Sequence, residues 1–213
     1  MRVLITGFEP FGGEPINPAL QAVMKIEKKL GHIEVIKASL PVVFHQSIDV
    51  LEQLIRLNKP DVVICVGQAG GRASVTLERV GINVDDARIP DNKGKTPADQ
   101  RINPKGPDAY FSTLPIKAIV SAINDRGIPA QVSNSAGTYV CNHILYGLCD
   151  YIASNDLEIK GGFMHVPFAP EQAVKNPVQP SMSIDDIVRA IETTIIVSCT
   201  VKDDIAVADG STH

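Results

Sequence analysis

A cysteine becomes a nucleophile only where its surroundings help it. Of the four in this chain (Cys65, Cys141, Cys149 and Cys199), Cys141 falls at a turn from strand to helix. The stretch SNSAGTYVCNH, Ser133 to His143, closes a strand and turns on small residues, and Cys141 stands where apolar side chains begin to recur at helical spacing. On the first turn of a helix, unpaired N–H groups and the dipole favour an anion. A thiolate is therefore expected to form more readily there, and an oxyanion would find backbone donors nearby. The other reading of Cys141 is a buried structural thiol, the commoner fate of a lone cysteine.

A thiol nucleophile works best with a base and with a third group that holds the base. His143 lies two residues from Cys141, which places the two side chains about 200° apart around a helix and makes it a poor base. His32 and His213 fall in a turn and a polar tail, and His45 sits near a helix start as a surface or cap residue. His165 ends the apolar run GGFMHV, with Pro167 beyond it, and is the better candidate; a core histidine bonded to backbone is the alternative. Glu78 lies among Val75, Leu77, Val80 and Ile82, where a lone carboxylate needs a partner. Arg79 points to the opposite face of a strand, so Glu78 either supports a histidine or faces water from an edge strand.

Other chemistries find less support. GFEPFGG and GQAGGR match neither the dinucleotide nor the P-loop pattern, and no metal-binding spacing accompanies the histidines. The net charge of -4 is spread along the chain without a basic stripe, which argues against nucleic acid. No apolar run approaches the ~18 residues of a membrane span, and Met1 leads straight into the strand-like RVLITG, so a cytoplasmic protein with free thiols is expected.

The elements that would carry these groups alternate. Arg2–Thr6 reads as a strand, and a helix capped by Asn17 runs from Pro18 to about Leu30. Ile33–Leu40 reads as a strand, a helix around Val50–Leu57 ends at Lys59-Pro60, and Asp61–Val66 is a continuous apolar strand. Val75–Val84 is expected as one strand, and Asp85–Pro107 as a long surface excursion. A helix from Leu114-Pro115 to Arg126-Gly127, the strand Ala130–Ser133, the Cys141 helix to about Ser154, the His165 strand and a helix over Ile184–Ser198 follow. This order predicts an α/β/α sandwich around a mostly parallel sheet, with residues 1–201 as a single domain and 202–213 as a frayed polar tail. The glycine loops, Cys141 and His165 would gather at the carboxyl edge of the sheet, where such folds bind ligands.

The blocks GFEPFGGEPINP, GQAGGRASVTLERVGIN, DARIPDN and SNSAGTYVCNH, followed by HVPF, resemble the pyroglutamyl peptidase I family of cysteine peptidases, from Met1 to about Ala173. The resemblance implies Cys141 as nucleophile, His165 as general base and Glu78 as its orienting group. It also implies N-terminally pyroglutamylated peptides as substrates, no cofactor and a homotetramer. Phe8 and Phe11 match aromatics that flank the pyroglutamyl ring, with Tyr139, Val140 and Ile89 completing an apolar pocket. Gln68 is placed as a polar contact for the lactam, and Arg88 resembles the family arginine near the reaction centre. Ordinary core packing for the aromatics and a surface ion pair for Arg88 are the alternatives. The chain departs from common members at Tyr139, where Phe is frequent, and in its tail. A different cysteine amidase, or an α/β module that binds small cyclic amides or nucleosides without covalent chemistry, remains a rival reading.

Overall fold

The computed structural model describes residues 1–174 and 176–210; His213 lies outside the described residues. The chain order is β1 (Arg2–Phe8), α1 (Pro18–Lys25), β2 (Lys29–Leu30), β3 (Ile33–Leu40), α2 (Gln46–Asn58), β4 (Val62–Gln68), β5 (Val75–Glu78), β6 (Val80–Ile82) and β7 (Ala109–Phe111). It continues with α3 (Ile116–Asn124), β8 (Ala130–Ser133), α4 (Val140–Ser154), β9 (Lys160–Val166), α5 (Pro170–Ala173) and α6 (Ile184–Thr200). Seven strands form one sheet in the order β2-β3-β1-β4-β9-β5-β8. Its pairs are parallel except at β2–β3 and β5–β9. The α/β/α sandwich is thus present.

Alternation along the strands divides the core in two. Ile64, Val66, Leu77, Met164 and Val166 turn to the side of α1, α3 and α6, where Ala22, Ile119 and Ile191 pack. Leu4, Val63, Cys65 and Phe163 turn to the other side, against Leu51 of α2 and Ile144 and Leu148 of α4. Because side chains alternate with period two, Gly67, His165, Thr76 and Glu78 belong to this second side, the one α4 covers.

Three sequence expectations change. Helix α1 stops at Lys25, because Ile26 turns to extended backbone (φ -59, ψ 138); Lys29–Leu30 then pairs antiparallel with β3 through a turn at Gly31 (φ 61). The expected strand Val75–Val84 is two: β5 ends at Glu78, and β6 leaves the main sheet to pair with β7. Residues 202–210 of the tail do not fray but lie against the body. The Asp204 carboxylate accepts from the N–H groups of Lys117 and Ala118 at 3.1 and 2.9 Å, capping α3 where Pro115, at its N-cap, cannot. Arg79 donates to the Asp209 carbonyl at 2.9 Å. Among the described residues, no helix is long and apolar enough to cross a membrane.

The capping contact gives a stability test. Removing a side-chain cap costs about 1 kcal/mol, so Asp204→Ala should lower Tm by about 2–4 °C in a chain of this size. A thermal melt unchanged by the substitution would mean that the tail does not cap α3 in solution.

Candidate active site

Cys141 is the second residue of α4, and Tyr139, at the N-cap, supplies no side-chain cap. The first-turn N–H groups next to the thiol are therefore left as donors. The approach to this turn is held from outside the helix. Asp86 N–H donates to Thr138 O at 2.9 Å, Thr138 Oγ1 donates to Asp86 O at 2.7 Å, and Tyr139 OH donates to Pro90 O at 3.0 Å. Asn142, fully buried, accepts from Ile82 N–H and donates to Ile82 O and Val84 O, locking the chain after β6 onto α4. Gly67 lies at the thiol: a Cβ there would stand 3.1 Å from Cys141 Sγ and 2.7 Å from Phe163 Cζ, so a side chain at this position would displace one of them.

His165 and Glu78 meet because β5 and β9 run antiparallel. Thr76 is in register with His165, which puts Glu78 diagonally across on the same face. Glu78 Oε1 lies 2.7 Å from His165 Nδ1. Since a carboxylate only accepts, Nδ1 carries the proton and Nε2 is left as the basic nitrogen. Glu78 is not at an edge: β5 is flanked by β9 and β8, and the residue is fully buried. Its second partner is Arg72, whose Nη1 donates to the same Oε1 at 2.6 Å. Sequence reasoning missed Arg72, although a cation directly after GQAGG was the available signal. Arg79 does point away, to Asn134 Oδ1 at 2.7 Å.

Burial is the largest single influence on each of these groups, although for Glu78 its partners together outweigh it. Desolvation pushes the Cys141 thiol up to about 12; the Glu78 charge adds to this, and Arg72 opposes it. Burial thus works against the easily formed thiolate that the helix start favours. Desolvation also carries His165 below its ordinary 6.5, against the raising effect of the Glu78 hydrogen bond and charge. Burial acts to raise Glu78, but the hydrogen bond and charge of His165, with Arg72, hold it below the usual carboxylate value. Burial thus disfavours the charged forms of the thiol and the imidazole, while the partners of Glu78 favour its carboxylate.

A narrow cavity opens beside the thiol, lined by Phe8, Phe11, Asn17, Val42, Gln68, Tyr139, Val140 and Cys141. Five of the sequence-predicted pocket residues are here: Phe8, Phe11, Gln68, Tyr139 and Val140. Val42 was not expected here, nor was Asn17, which the sequence marks as the cap of α1; its amide does cap α1 and also bonds Glu9 O. Arg88 and Ile89 do not line this cavity; they are exposed on the segment that Asp86 and Pro90 pin to Thr138 and Tyr139. The polarity of Gln68 is set by its neighbours. Ala169 N–H donates to Gln172 Oε1, so the Gln172 NH₂ faces Gln68 Oε1 at 3.0 Å and leaves the Gln68 NH₂ as donor. His143 is buried with both nitrogens occupied: Nδ1 lies 2.8 Å from Asp85, and Nε2 accepts from His45 N–H. His45 occupies the N-cap of α2 at φ 63, but its side chain makes no cap.

A thiol at a helix start, an apolar cavity beside it and an imidazole oriented by a carboxylate on the same side of the sheet make a site for acyl transfer. The sequence model of the family described as pyroglutamyl peptidase matches residues 1–201. The chain belongs to that family. The pyrrolidone-carboxylate peptidase of Escherichia fergusonii is 55% identical over 212 residues, 99% of either chain. The enzyme of the same name from Bacillus cereus is 52% identical, also over 99% of both. The crystal structure of pyroglutamyl peptidase I from Bacillus amyloliquefaciens superposes with a TM-score of 0.95 at 46% identity, covering 97% of this chain and 99% of that one. A variant of the pyrrolidone carboxyl peptidase of Pyrococcus furiosus gives 0.92 at 44%, covering 94% and 99%. As a member of the pyroglutamyl peptidase family, the chain is a peptidase and hence a hydrolase.

Proposed function

We propose that the chain removes N-terminal pyroglutamate from peptides by acyl transfer to Cys141, followed by hydrolysis of the thioester. The observation that carries this reading is the Glu78–His165 pair, on the sheet face that α4 covers, where Cys141 and an aromatic-lined cavity lie. His165 Nε2 takes the thiol proton as sulfur attacks the pyroglutamyl carbonyl. The first-turn N–H groups of α4 meet the oxyanion, with Arg88 approaching from the pinned loop. The protonated imidazole then passes its proton to the departing amine, and water, deprotonated in turn by His165, cleaves the thioester. Phe8 and Phe11 take the ring faces, Tyr139 and Val140 extend the apolar wall, and the Gln68 NH₂ donates to the lactam carbonyl. A single 1–201 domain in the cytoplasm belongs to the same proposal, as does a homotetramer, which rests on the family resemblance. Substrate profiling with pyroglutamyl chromogenic amides, together with trapping of the thioester, separates this reading from a different cysteine amidase and from a non-covalent binding module.

His165 is the base here, and Glu78 only holds it. Glu78→Gln should therefore keep substantially more kcat/KM than His165→Ala, since an amide oxygen can still accept from Nδ1. A base must be neutral to act, so the acid limb of kcat/KM in the wild type should fall below pH 6.5, the side to which burial moves His165. Equal and complete loss in both variants would give Glu78 the proton chemistry instead.

A further inference from the structure

Arg72 has no task in the acyl transfer just described, yet its guanidinium joins three parts of the site. It leaves the loop after β4, where Gly71 (φ +87) turns the chain toward β5. Nη1 donates to Glu78 Oε1 at 2.6 Å and also to Thr76 Oγ1, the residue in register with His165. Nη2 donates to Ser135 O at 3.2 Å, in the loop that delivers Cys141. A single planar fork thus grips the carboxylate that orients the base and the backbone that leads to the nucleophile.

We propose that Arg72 is a positioning residue for the Cys141, His165 and Glu78 set, holding the Glu78 carboxylate on His165 and tying both to the nucleophile loop. This rests on the reading that those three residues carry the reaction. Two consequences follow from its placement. Arg72 does not line the cavity, so its loss falls on kcat and leaves KM nearly alone. It is also the fixed cation opposing Glu78. The charged and titratable groups facing His165 are Glu78 and Arg72, and those facing Cys141 are Glu78, Arg72 and Cys65. Without the guanidinium the carboxylate acts alone, the imidazole holds its proton to higher pH, and the acid limb moves up. Lysine at position 72 supplies the charge without the fork, so it separates the two effects.

The experiment is steady-state hydrolysis of a pyroglutamyl chromogenic amide across pH by wild type, Arg72→Met, Arg72→Lys and Cys141→Ala. Arg72→Met is expected to lose kcat by ~10- to 100-fold, the scale of a misplaced catalytic group, with KM within about threefold and an acid limb shifted to higher pH. Arg72→Lys should keep the wild-type limb while kcat stays reduced, and it serves alone if the methionine variant does not fold. A kcat within about twofold of wild type in Arg72→Lys, or in a folded Arg72→Met, would overturn the proposal, as would a rise in KM at unchanged kcat. An inactive Cys141→Ala beside an indifferent Arg72→Met sinks only the role of Arg72. Turnover by Cys141→Ala sinks the reading of the site itself.

Discussion

Cys141→Ala should abolish turnover, lowering kcat/KM by roughly ten-thousand-fold or more, as removal of the nucleophile does where the catalytic groups act as a unit. The sulfur supplies the bond-forming atom, and no other thiol can replace it. Cys65 is fully buried within β4, and Cys149 lies buried eight residues along α4 with its sulfur 3.9 Å from Phe111 O. Neither lines the cavity beside Cys141. Alanine suits a first helical turn, so the thermal melt should change little. Assay of a pyroglutamyl amide checks the prediction, with Cys149→Ala as the control expected to retain activity. More than a trace of turnover in Cys141→Ala, or loss of turnover in Cys149→Ala, would remove the nucleophile from Cys141.

An N-terminal prolyl amide should be hydrolysed at least ~100-fold less efficiently than the pyroglutamyl amide. The two rings are equal in size, but proline carries a charged secondary amine and lacks the lactam carbonyl. The Gln68 NH₂, oriented by Gln172, would lose its acceptor, a loss of ~1 to 3 kcal/mol for each buried group left unpaired. Desolvating an ammonium beside Phe8, Phe11, Val42 and Val140 adds to the penalty. Phe8→Ala and Phe11→Ala should raise KM for the pyroglutamyl substrate through lost ring contact. Comparable kcat/KM for the two amides would refute the pocket while leaving Cys141 untouched.

Cys141, His165 and Glu78 stood out in the sequence as candidates because each stands at a break in a local pattern. The cysteine follows a run of small residues at the start of an apolar helix, the histidine ends an apolar strand, and the glutamate interrupts one. Such patterns are set by period-two and period-3.6 burial, which neighbours along the chain reveal. The same local rule separated Glu78 from Arg79 and ruled out His143. It failed where a break in pairing left no local mark, as at Arg79, where β5 ends and β6 begins with apolar residues continuing on both sides.

What the chain alone could not disclose lies in contacts between distant segments. Arg72 reaches Ser135 across 63 positions, Asp204 caps a helix 86 and 87 positions earlier, and Gln172 orients Gln68 across 104. Each of these partners is a polar group whose role depends on direction and distance, and no periodicity encodes either. The protonation of Cys141 is of the same kind. The sequence placed the thiol at a helix start and so pointed to a thiolate, whereas packing around Gly67 and Phe163 adds a desolvation that pushes the thiol the other way.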